Sequence, residues 1–165
     1  MQKKSIFSKG SIPLPLYKKI LGLMPICCVD MILKVGSKVI LFKRAYEPAK
    51  NEWWLIGGRV NKWEKLRDAA IRKAKEEVGI DVKIIKTVGT YEIFFPVNRF
   101  DAKNIKKEEK GTHTIAICFI VKPKKKDFKL KLNNEYTRYK AITKIENNFH
   151  PYIKTALKDS GINLK

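Results

Sequence analysis

Two adjacent glutamates near the middle of the chain, Glu76 and Glu77, are of the residue type that hard divalent cations prefer. Mg²⁺ takes oxygen ligands in an octahedron, commonly one or two carboxylates completed by water and substrate phosphate oxygens. The pair belongs to a charged segment, residues 58–80, that also contains Glu64 and Arg72. Because a cation held by carboxylates can neutralise and orient a diphosphate, this segment favours metal-assisted phosphate chemistry.

The apolar residues of this segment predict a helix from about Leu66 to Val78. Leu66, Ala70, Ala74 and Val78 recur every four residues and form one apolar stripe, whose small members would let the helix lie close to a sheet. Gly79 is suited to end the helix, because glycine adopts the left-handed conformation without a steric penalty. The charged residues would therefore be carried by a helix packed on a sheet.

Helical spacing brings the charged groups together. Arg72 and Glu76 are four residues apart and share a face, with Glu77 beside it. Gly57 and Gly58 follow a strand-like run and allow the backbone to turn sharply and approach a ligand. A glutamate pair alone on a helix is usually solvated surface, whereas the whole spacing after a double glycine favours a functional site.

The spacing resembles the Nudix box, the loop–helix–loop signature of the Nudix hydrolases. The resemblance rests on Gly58, Glu64, Arg72 and the glutamate pair, followed by Gly79 and Ile80. It implies an α+β fold, an α/β/α sandwich with a mixed β-sheet between helices. It also implies a hydrolase that uses Mg²⁺, with Mn²⁺ as a substitute, to cleave a nucleoside diphosphate linked to another group.

The same resemblance assigns roles within the segment. Glu76 and Glu77 would supply the metal carboxylates, and the Gly57 carbonyl would add a backbone oxygen. Glu64 would pair with Arg72 as a brace. These residues make up the predicted catalytic and metal-binding set.

Lys73 departs from the family pattern, which usually has glutamate directly after the arginine. A protonated lysine can neither bind an additional metal nor act as a base. Lys73 precedes Glu77 by four residues and can form a salt bridge with it, a helix pair that contributes only about 0.2–0.5 kcal/mol. We expect a reduced site with one metal; the alternative is a protein that binds nucleotides without hydrolysing them.

The order of motifs before the box resembles the GDP-mannose mannosyl hydrolase branch of the family. A proline shortly precedes Asp30, a Lys-Arg pair ends at Arg44, and Gly-Gly-Arg-Val, which contains Arg59, opens the box. The resemblance implies a nucleotide sugar such as GDP-mannose, with nucleotide or leaving-group contacts from Asp30 and Arg44. Arg59 would contact phosphate, which its planar guanidinium can bind bidentately. Asp30 is equally compatible with a surface-facing strand position, and Arg44 with an exposed strand end.

The base that activates water is not defined by this resemblance. The branch uses a histidine on a late loop, and Asn134 stands there in this chain, an amide that cannot take a proton at neutral pH. His113 is our candidate catalytic residue in its place, with Glu135 and Glu92 as further candidates. His150 is expected to be structural. Attack on the sugar carbon and attack on phosphorus both remain open.

The formal charge of +20 indicates anionic partners. It suits a small nucleotide substrate and also permits RNA binding, although no nucleic-acid-binding motif is present. A lysine-rich genome is the simpler explanation of the charge. An enzyme that trims RNA 5′ ends, at a cap or triphosphate, is therefore an alternative function. The resembled branch commonly forms homodimers, so a homodimer is a further expectation.

Length and composition predict one domain, residues 14–165, preceded by a basic N-terminal arm, residues 1–13. The apolar runs are too short and too interrupted for a transmembrane helix, and no signal peptide is expected. The three cysteines, two of them adjacent, fit a reducing compartment. We therefore expect a cytoplasmic protein without a membrane partner.

The remaining elements follow from apolar patterning and from turn residues. The predicted elements are a helix over 14–23, strands near 26–35, 37–44 and 52–56, one or two strands over 82–95, a polar loop over 97–111, strands over 114–122 and 136–142, and a helix over 151–158. Aromatic residues that could stack on a base, but are more often core, are Trp53, Trp54, Tyr91, Phe94 and Phe95.

Overall fold

The computed structural model describes residues 12–101 and 106–164, so the predicted basic arm lies, except for its last two residues, outside the described chain. The elements are α1 (Leu14–Leu23), β1 (Ile26–Val35), β2 (Lys38–Arg44), β3 (Trp53–Trp54), β4 (Ile56–Arg59), α2 (Leu66–Val78), β5 (Val82–Phe95), a 3₁₀ turn (Lys107–Glu109), β6 (Thr112–Pro123), β7 (Tyr136–Ile142) and α3 (Pro151–Asp159). The predicted strand over 52–56 is divided, because its residues pair with two different strands.

The strands form one mixed sheet. Its main path runs β3-β2-β1-β6-β5, with β4 paired to β1 and β7 paired to β2. β1 and β6 are parallel, and the other pairs are antiparallel. One edge of β1 serves two partners, since Leu33–Val35 pair with β2 and Cys28–Met31 pair with β4. The double glycine of β4 is thereby fixed beside the first half of β1.

Each face of the sheet is covered by one helix. Alternate residues of β1 face opposite ways, so Met31 belongs to the core under α2 and Ile32 to the core under α3. The predicted α+β sandwich is confirmed. The predicted apolar stripe of α2 is wrong at Leu66, which is 38% exposed at the first helical position. Ala69 is buried in its place.

Helix α2 ends where predicted, and its last residues are hydrogen-bonded to the loop before β7. Gly79 has a φ of 73° and a left-handed conformation. The backbone N–H of Asn133 donates to the backbone carbonyl of Glu77 at 2.9 Å. The backbone N–H of Lys131 donates to the backbone carbonyl of Val78 at 3.0 Å. Two carbonyls that helix geometry leaves without partners are thus satisfied, and the loop is held against the helix.

The first helix has no buried residue and lies against the 3₁₀ turn and β6. The Tyr17 ring meets the Phe100 ring edge-on, with centroids 6.0 Å apart. None of the helices in the described ranges is long and apolar enough to cross a membrane. This helix is therefore held to the rest of the chain mainly from its surface, with the Tyr17–Phe100 ring contact as one of its attachments.

Candidate active site

A cavity of about 620 Å³ lies between α1, β4 and α2. The charged side chains that line it include Asp30, Arg44, Arg59, Arg72, Glu76 and Glu77. Gly57 and Gly58 also line it, on strand β4, which precedes the loop that leads to α2. The structure thus brings together most of the residues that the sequence singled out.

The predicted pair between Glu64 and Arg72 is present as a two-point contact. Arg72 Nε donates to Glu64 Oε1 at 2.6 Å, and Nη2 donates to Oε2 at 2.7 Å. Hydrogen bonding to Glu64 raises the pKa of Arg72 above its ordinary value. The backbone N–H of Asn61 also donates to Glu64 Oε2 at 3.0 Å. The loop before α2 is therefore fixed to the helix through Glu64 and Arg72.

Arg72 also positions the next carboxylate. Its Nη1 donates to Glu76 Oε2 at 3.1 Å, and its Nη2 donates to the Arg59 carbonyl at 3.1 Å. The Glu76 side chain is 49% exposed, so it retains access to the cavity. One guanidinium therefore connects the strand end, the loop and the exposed carboxylate.

Glu77 is the buried carboxylate of the site. Its Oε2 lies 2.7 Å from the Tyr136 hydroxyl and accepts a hydrogen bond from the Gly57 amide at 3.3 Å. The Tyr136 hydroxyl also lies 3.1 Å from the Leu55 carbonyl oxygen, and its single hydrogen serves one acceptor at a time. Glu77 is thus oriented from two strands, and Tyr136 is a site residue that the sequence analysis did not identify.

Tyr136→Phe is expected to lower the free energy of unfolding by about 2 kcal/mol, because a buried carboxylate loses a hydrogen bond. The melting temperature should fall by roughly 4–8 °C. Thermal melting followed by circular dichroism measures the change. Tyr139→Phe on the same strand removes a hydroxyl from a half-exposed ring and should leave the melting temperature within about 1 °C. Equal shifts for the two variants would show that the bond to Glu77 contributes nothing.

Lys73 forms the predicted salt bridge with Glu77, with Nζ 2.6 Å from Oε1. The pair is less solvated than the surface helix pair assumed in the sequence analysis, since its side chains are only 17% and 4% exposed. Breaking a buried pair leaves an uncompensated charge, which costs about 3–5 kcal/mol. The lysine reaches this depth by running beneath Gly58, where an added Cβ would lie 2.5 Å from Lys73 Cε.

Asp30 is buried on β1, directly opposite Gly57 in the strand register. The surface-facing alternative is therefore wrong. The Tyr152 hydroxyl donates to Asp30 Oδ2 at 2.7 Å and connects the site to α3. Burial raises the pKa of Asp30 to about 6, against the opposing effects of the Tyr152 hydrogen bond and the Arg44 charge.

The raised pKa of Asp30 predicts a stability that falls as the pH rises from about 4 to about 6. In this window the folded protein holds a proton that the unfolded chain has released, so unfolding becomes easier with increasing pH. A shift of about two pKa units corresponds to about 3 kcal/mol. Urea denaturation of the native protein and Asp30→Asn across pH 4–7 measures the difference. The native protein should lose this stability relative to the variant, and parallel curves would contradict the assignment.

Arg44, which the resemblance assigned to the site, lines the cavity together with Arg99, which the sequence analysis did not identify. Arg44 Nε donates to the Pro48 carbonyl at 2.7 Å, and its Nη2 lies 4.0 Å from Glu135 Oε2. Arg99 donates twice to Glu135 Oε1, at 3.0 and 3.1 Å. Glu135, one of the candidate bases, therefore lines the cavity within an arginine pair.

An aromatic and cationic rim, formed by Tyr17, Arg59, Arg99 and Phe100, borders the same cavity. The Arg59 guanidinium lies 5.1 Å from the Tyr17 ring centroid, and that of Arg99 lies 5.2 Å from the Phe100 centroid. Burial raises the pKa of Tyr17. Neither aromatic was among the sequence candidates for stacking. Of those candidates, Trp54 and Phe95 line the cavity.

The chain matches the family model of the NUDIX domain over residues 26–156. It belongs to the Nudix family. This Nudix protein is 32% identical over 146 residues to the low-salt glycan biosynthesis protein Agl8 of Haloferax volcanii, a match that covers 88% of each chain. It is 32% identical over 101 residues to an ADP-ribose pyrophosphatase of Methanocaldococcus jannaschii, covering 61% of this chain and 53% of that relative. It thus spans about half the length of the second relative.

A solved Nudix structure shares the fold. The MutT Nudix hydrolase of Burkholderia pseudomallei superimposes with a TM-score of 0.63 at 18% identity, covering 82% of this chain and 98% of the other. The chain is therefore a Nudix hydrolase, a member of a family that generally uses divalent metals.

Glu76 and Glu77 of this Nudix box are the carboxylates that could hold a divalent cation. In the described part of the chain, no three His, Cys, Asp or Glu residues are grouped so as to hold a metal ion. Glu76 and Glu77 are adjacent, and the cationic Nζ of Lys73 lies 2.6 Å from the buried Glu77. A site that already holds one positive charge here suits a cation that completes its octahedron with water and phosphate oxygens.

His113 does not reach the Nudix site. Thr112 and Thr114 line the cavity, and His113 between them points to the opposite side of β6. Its ring stacks on Phe94 at 4.4 Å, and its Nε2 lies 3.7 Å from Glu92 Oε1. Neither of the chain's two histidines is among the described residues that line the cavity.

His150 has the structural role expected of it. Its Nδ1 accepts a hydrogen bond from the Tyr152 amide at 3.2 Å, which caps the N-terminus of α3. Burial lowers the pKa of His150 and favours the neutral ring that this contact requires. Tyr152 is the second residue of the helix that this cap begins, and its hydroxyl reaches Asp30 from there.

Proposed function

We propose that this Nudix hydrolase cleaves a nucleoside diphosphate sugar, such as GDP-mannose, with Mg²⁺ as its metal and Mn²⁺ as a substitute. One observation carries the proposal: the same cavity is lined by the box carboxylates, Glu76 and Glu77, and by the aromatic and cationic rim. Its volume of about 620 Å³ lies within the range of about 300–1,000 Å³ typical of small-molecule sites. Similarity to a glycan biosynthesis protein supports a sugar-containing substrate.

The rim is suited to the nucleoside end of such a substrate. The rings of Tyr17 and Phe100 offer flat apolar surface, and base–aromatic stacking contributes about 1–3 kcal/mol per base. Arg59 joins this rim to the box, because its backbone carbonyl accepts a hydrogen bond from Arg72. A diphosphate that extends from the rim towards Glu76 would pass Arg59, which fits its proposed phosphate contact.

The chain's own residues then divide the work of hydrolysis. Glu76 and Glu77, with the Gly57 carbonyl, would hold the metal, which supplies charge neutralisation for the diphosphate and its leaving group. Arg72 and Glu64 keep the carboxylates and the β4 turn in register. Water adds across one bond: attack on the sugar carbon gives a nucleoside diphosphate and a free sugar. Attack on phosphorus gives a nucleoside monophosphate and a sugar phosphate.

A panel of substrates tests the function. Purified protein with Mg²⁺ is incubated with GDP-mannose, other nucleotide sugars, ADP-ribose, nucleoside triphosphates and a triphosphorylated RNA, and the products are separated by ion-exchange chromatography. We expect turnover of one or more nucleotide sugars at the highest kcat/KM. Turnover restricted to RNA would overturn the proposal.

ADP-ribose is the second candidate substrate, since one relative is an ADP-ribose pyrophosphatase. It shares the diphosphate and a sugar with the first candidate and would occupy the same cavity. A kcat/KM for ADP-ribose at least about tenfold above that for every hexose nucleotide would favour it. The product pattern, AMP with ribose phosphate, would then establish attack on phosphorus.

A further inference from the structure

We propose that the Lys73 ammonium is a resident cation of the Nudix box, one that competes with the divalent metal for Glu77 and binds the substrate diphosphate when the metal displaces it. This inference rests on the proposed use of a divalent metal at Glu76 and Glu77. It adds a diphosphate-binding residue to the site. It also means that Lys73 lowers the affinity of the site for the divalent metal.

The position of the ammonium carries the argument. Lys73 Nζ lies 2.6 Å from Glu77 Oε1 and 3.6 Å from Glu76 Oε2, between the two carboxylates proposed to hold the metal. The other oxygen of Glu77 faces Tyr136 and the Gly57 amide. Oε1 is therefore the oxygen that points towards the cation position, and the lysine is bonded to it.

Close packing against Gly58 places the lysine stem beside the carboxylates. Its side chain runs beneath Gly58, where an added Cβ would lie 2.5 Å from Cε and 3.1 Å from Nζ. Gly58 has a φ of 152°, a conformation that side chains rarely adopt, so the backbone turn and the lysine stem fit one another. Lys73 also lines the cavity, which leaves its ammonium a short path towards a bound diphosphate.

The local charges show what the lysine changes. Three carboxylates, those of Glu64, Glu76 and Glu77, are opposed by Arg72 and Lys73, which leaves one net negative charge. Without the lysine the same groups would carry two net negative charges, and this larger negative charge would attract a divalent cation more strongly. The native site is therefore a weak metal site until a diphosphate supplies further oxygens and accepts the displaced ammonium.

Two binding measurements on one variant test the inference without substrate turnover. Mn²⁺ binding is followed by the electron paramagnetic resonance signal of the free ion, and inorganic diphosphate binding is followed by calorimetry at saturating Mg²⁺, where the metal has displaced the ammonium from Glu77. For Lys73→Met we expect Mn²⁺ to bind at least about tenfold more tightly and diphosphate about tenfold more weakly, each equivalent to 1.4 kcal/mol. A lysine with a purely structural role would not change the two affinities in opposite directions. Unchanged or weaker Mn²⁺ binding would overturn the inference.

Lys75→Met is the matched control. It removes the same charge from the same helix, two residues away, where the ammonium is 58% exposed and paired with Asp81 at 3.0 Å. Both affinities should stay within about twofold of the native values. If Lys75→Met changes them as much as Lys73→Met does, the effect belongs to net charge, and the inference fails.

Lys73→Gln keeps the test decisive if the methionine variant does not fold. Its amide can still donate to Glu77 Oε1 but carries no charge, so tighter Mn²⁺ binding is again expected, and an unchanged affinity would contradict the inference. Neither probe contains a base or a sugar. The result is therefore independent of which nucleotide the enzyme hydrolyses, and failure of the substrate panel would leave it standing.

Discussion

Glu77→Gln is expected to lower kcat/KM by at least about a thousandfold on whichever nucleotide is turned over. The amide is neutral and cannot replace a carboxylate as a ligand of a hard cation. Metal stabilisation of the diphosphate contributes several kcal/mol, and each 1.36 kcal/mol is a factor of ten in rate. The substitution also removes the nearer of the two carboxylates beside the partly buried Lys73 ammonium. Steady-state kinetics at saturating Mg²⁺ measures the loss.

Asp68→Asn provides the comparison, because it makes the same chemical change on an exposed position in the first turn of the same helix. Its kcat/KM should remain within about threefold of the native value, since surface carboxylates contribute little. A Glu77→Gln variant that is folded by circular dichroism and retains more than a tenth of the native activity would refute the assignment of Glu77 as a metal ligand.

Gly57→Ala is expected to destabilise the protein by about 3 kcal/mol, at the upper end of the usual range for overpacking. The added Cβ would overlap Asp30 Oδ1 and lie 2.5 Å from the Val29 carbonyl oxygen, so β1 and β4 would have to separate. The melting temperature should fall by roughly 6–12 °C. The same displacement would move the Gly57 amide away from Glu77, so hydrolysis should fall together with stability.

Gly22→Ala in α1 separates this effect from a general response to losing a glycine. Its Cβ would meet Glu109 at an ordinary contact distance of 3.5 Å. Alanine within a helix is favoured over glycine by about 0.5–1 kcal/mol, so the melting temperature should stay the same or rise slightly. Equal decreases in melting temperature for the two variants would show that the close approach of Asp30 and Val29 to Gly57 does not cause the destabilisation.

The box helix could be predicted from the sequence because its signals are local. Four-residue spacing set its buried face, and Gly79 set its end, where the structure has a φ of 73°. The Glu64–Arg72 pair followed from the family spacing. The prediction that Leu66 belongs to the buried stripe was wrong, because periodicity does not show where the sheet beneath a helix stops.

Contacts between distant parts of the chain could not be predicted in this way. Tyr136 reaches Glu77 from 59 residues away, and Tyr152 reaches Asp30 from 122 residues away. No local pattern encodes either contact, because both depend on how the strands and α3 are arranged around the sheet. The proposed catalytic role of His113 depended on the side of β6 that it faces, which a shift of one residue reverses. The depth of Lys73 depended on the turn at Gly58.

The two walls of the cavity differ in how easily they open. β1 is hydrogen-bonded to neighbours on both edges, and its central residues are fully buried, so its amide hydrogens should exchange only when the whole protein unfolds. α1 has no buried residue, and its amides should exchange through local opening, many times faster. Of the four rim residues, only Tyr17 is carried by α1. Local opening of α1 would therefore move this one aromatic side of the cavity while β1 keeps the opposite wall fixed.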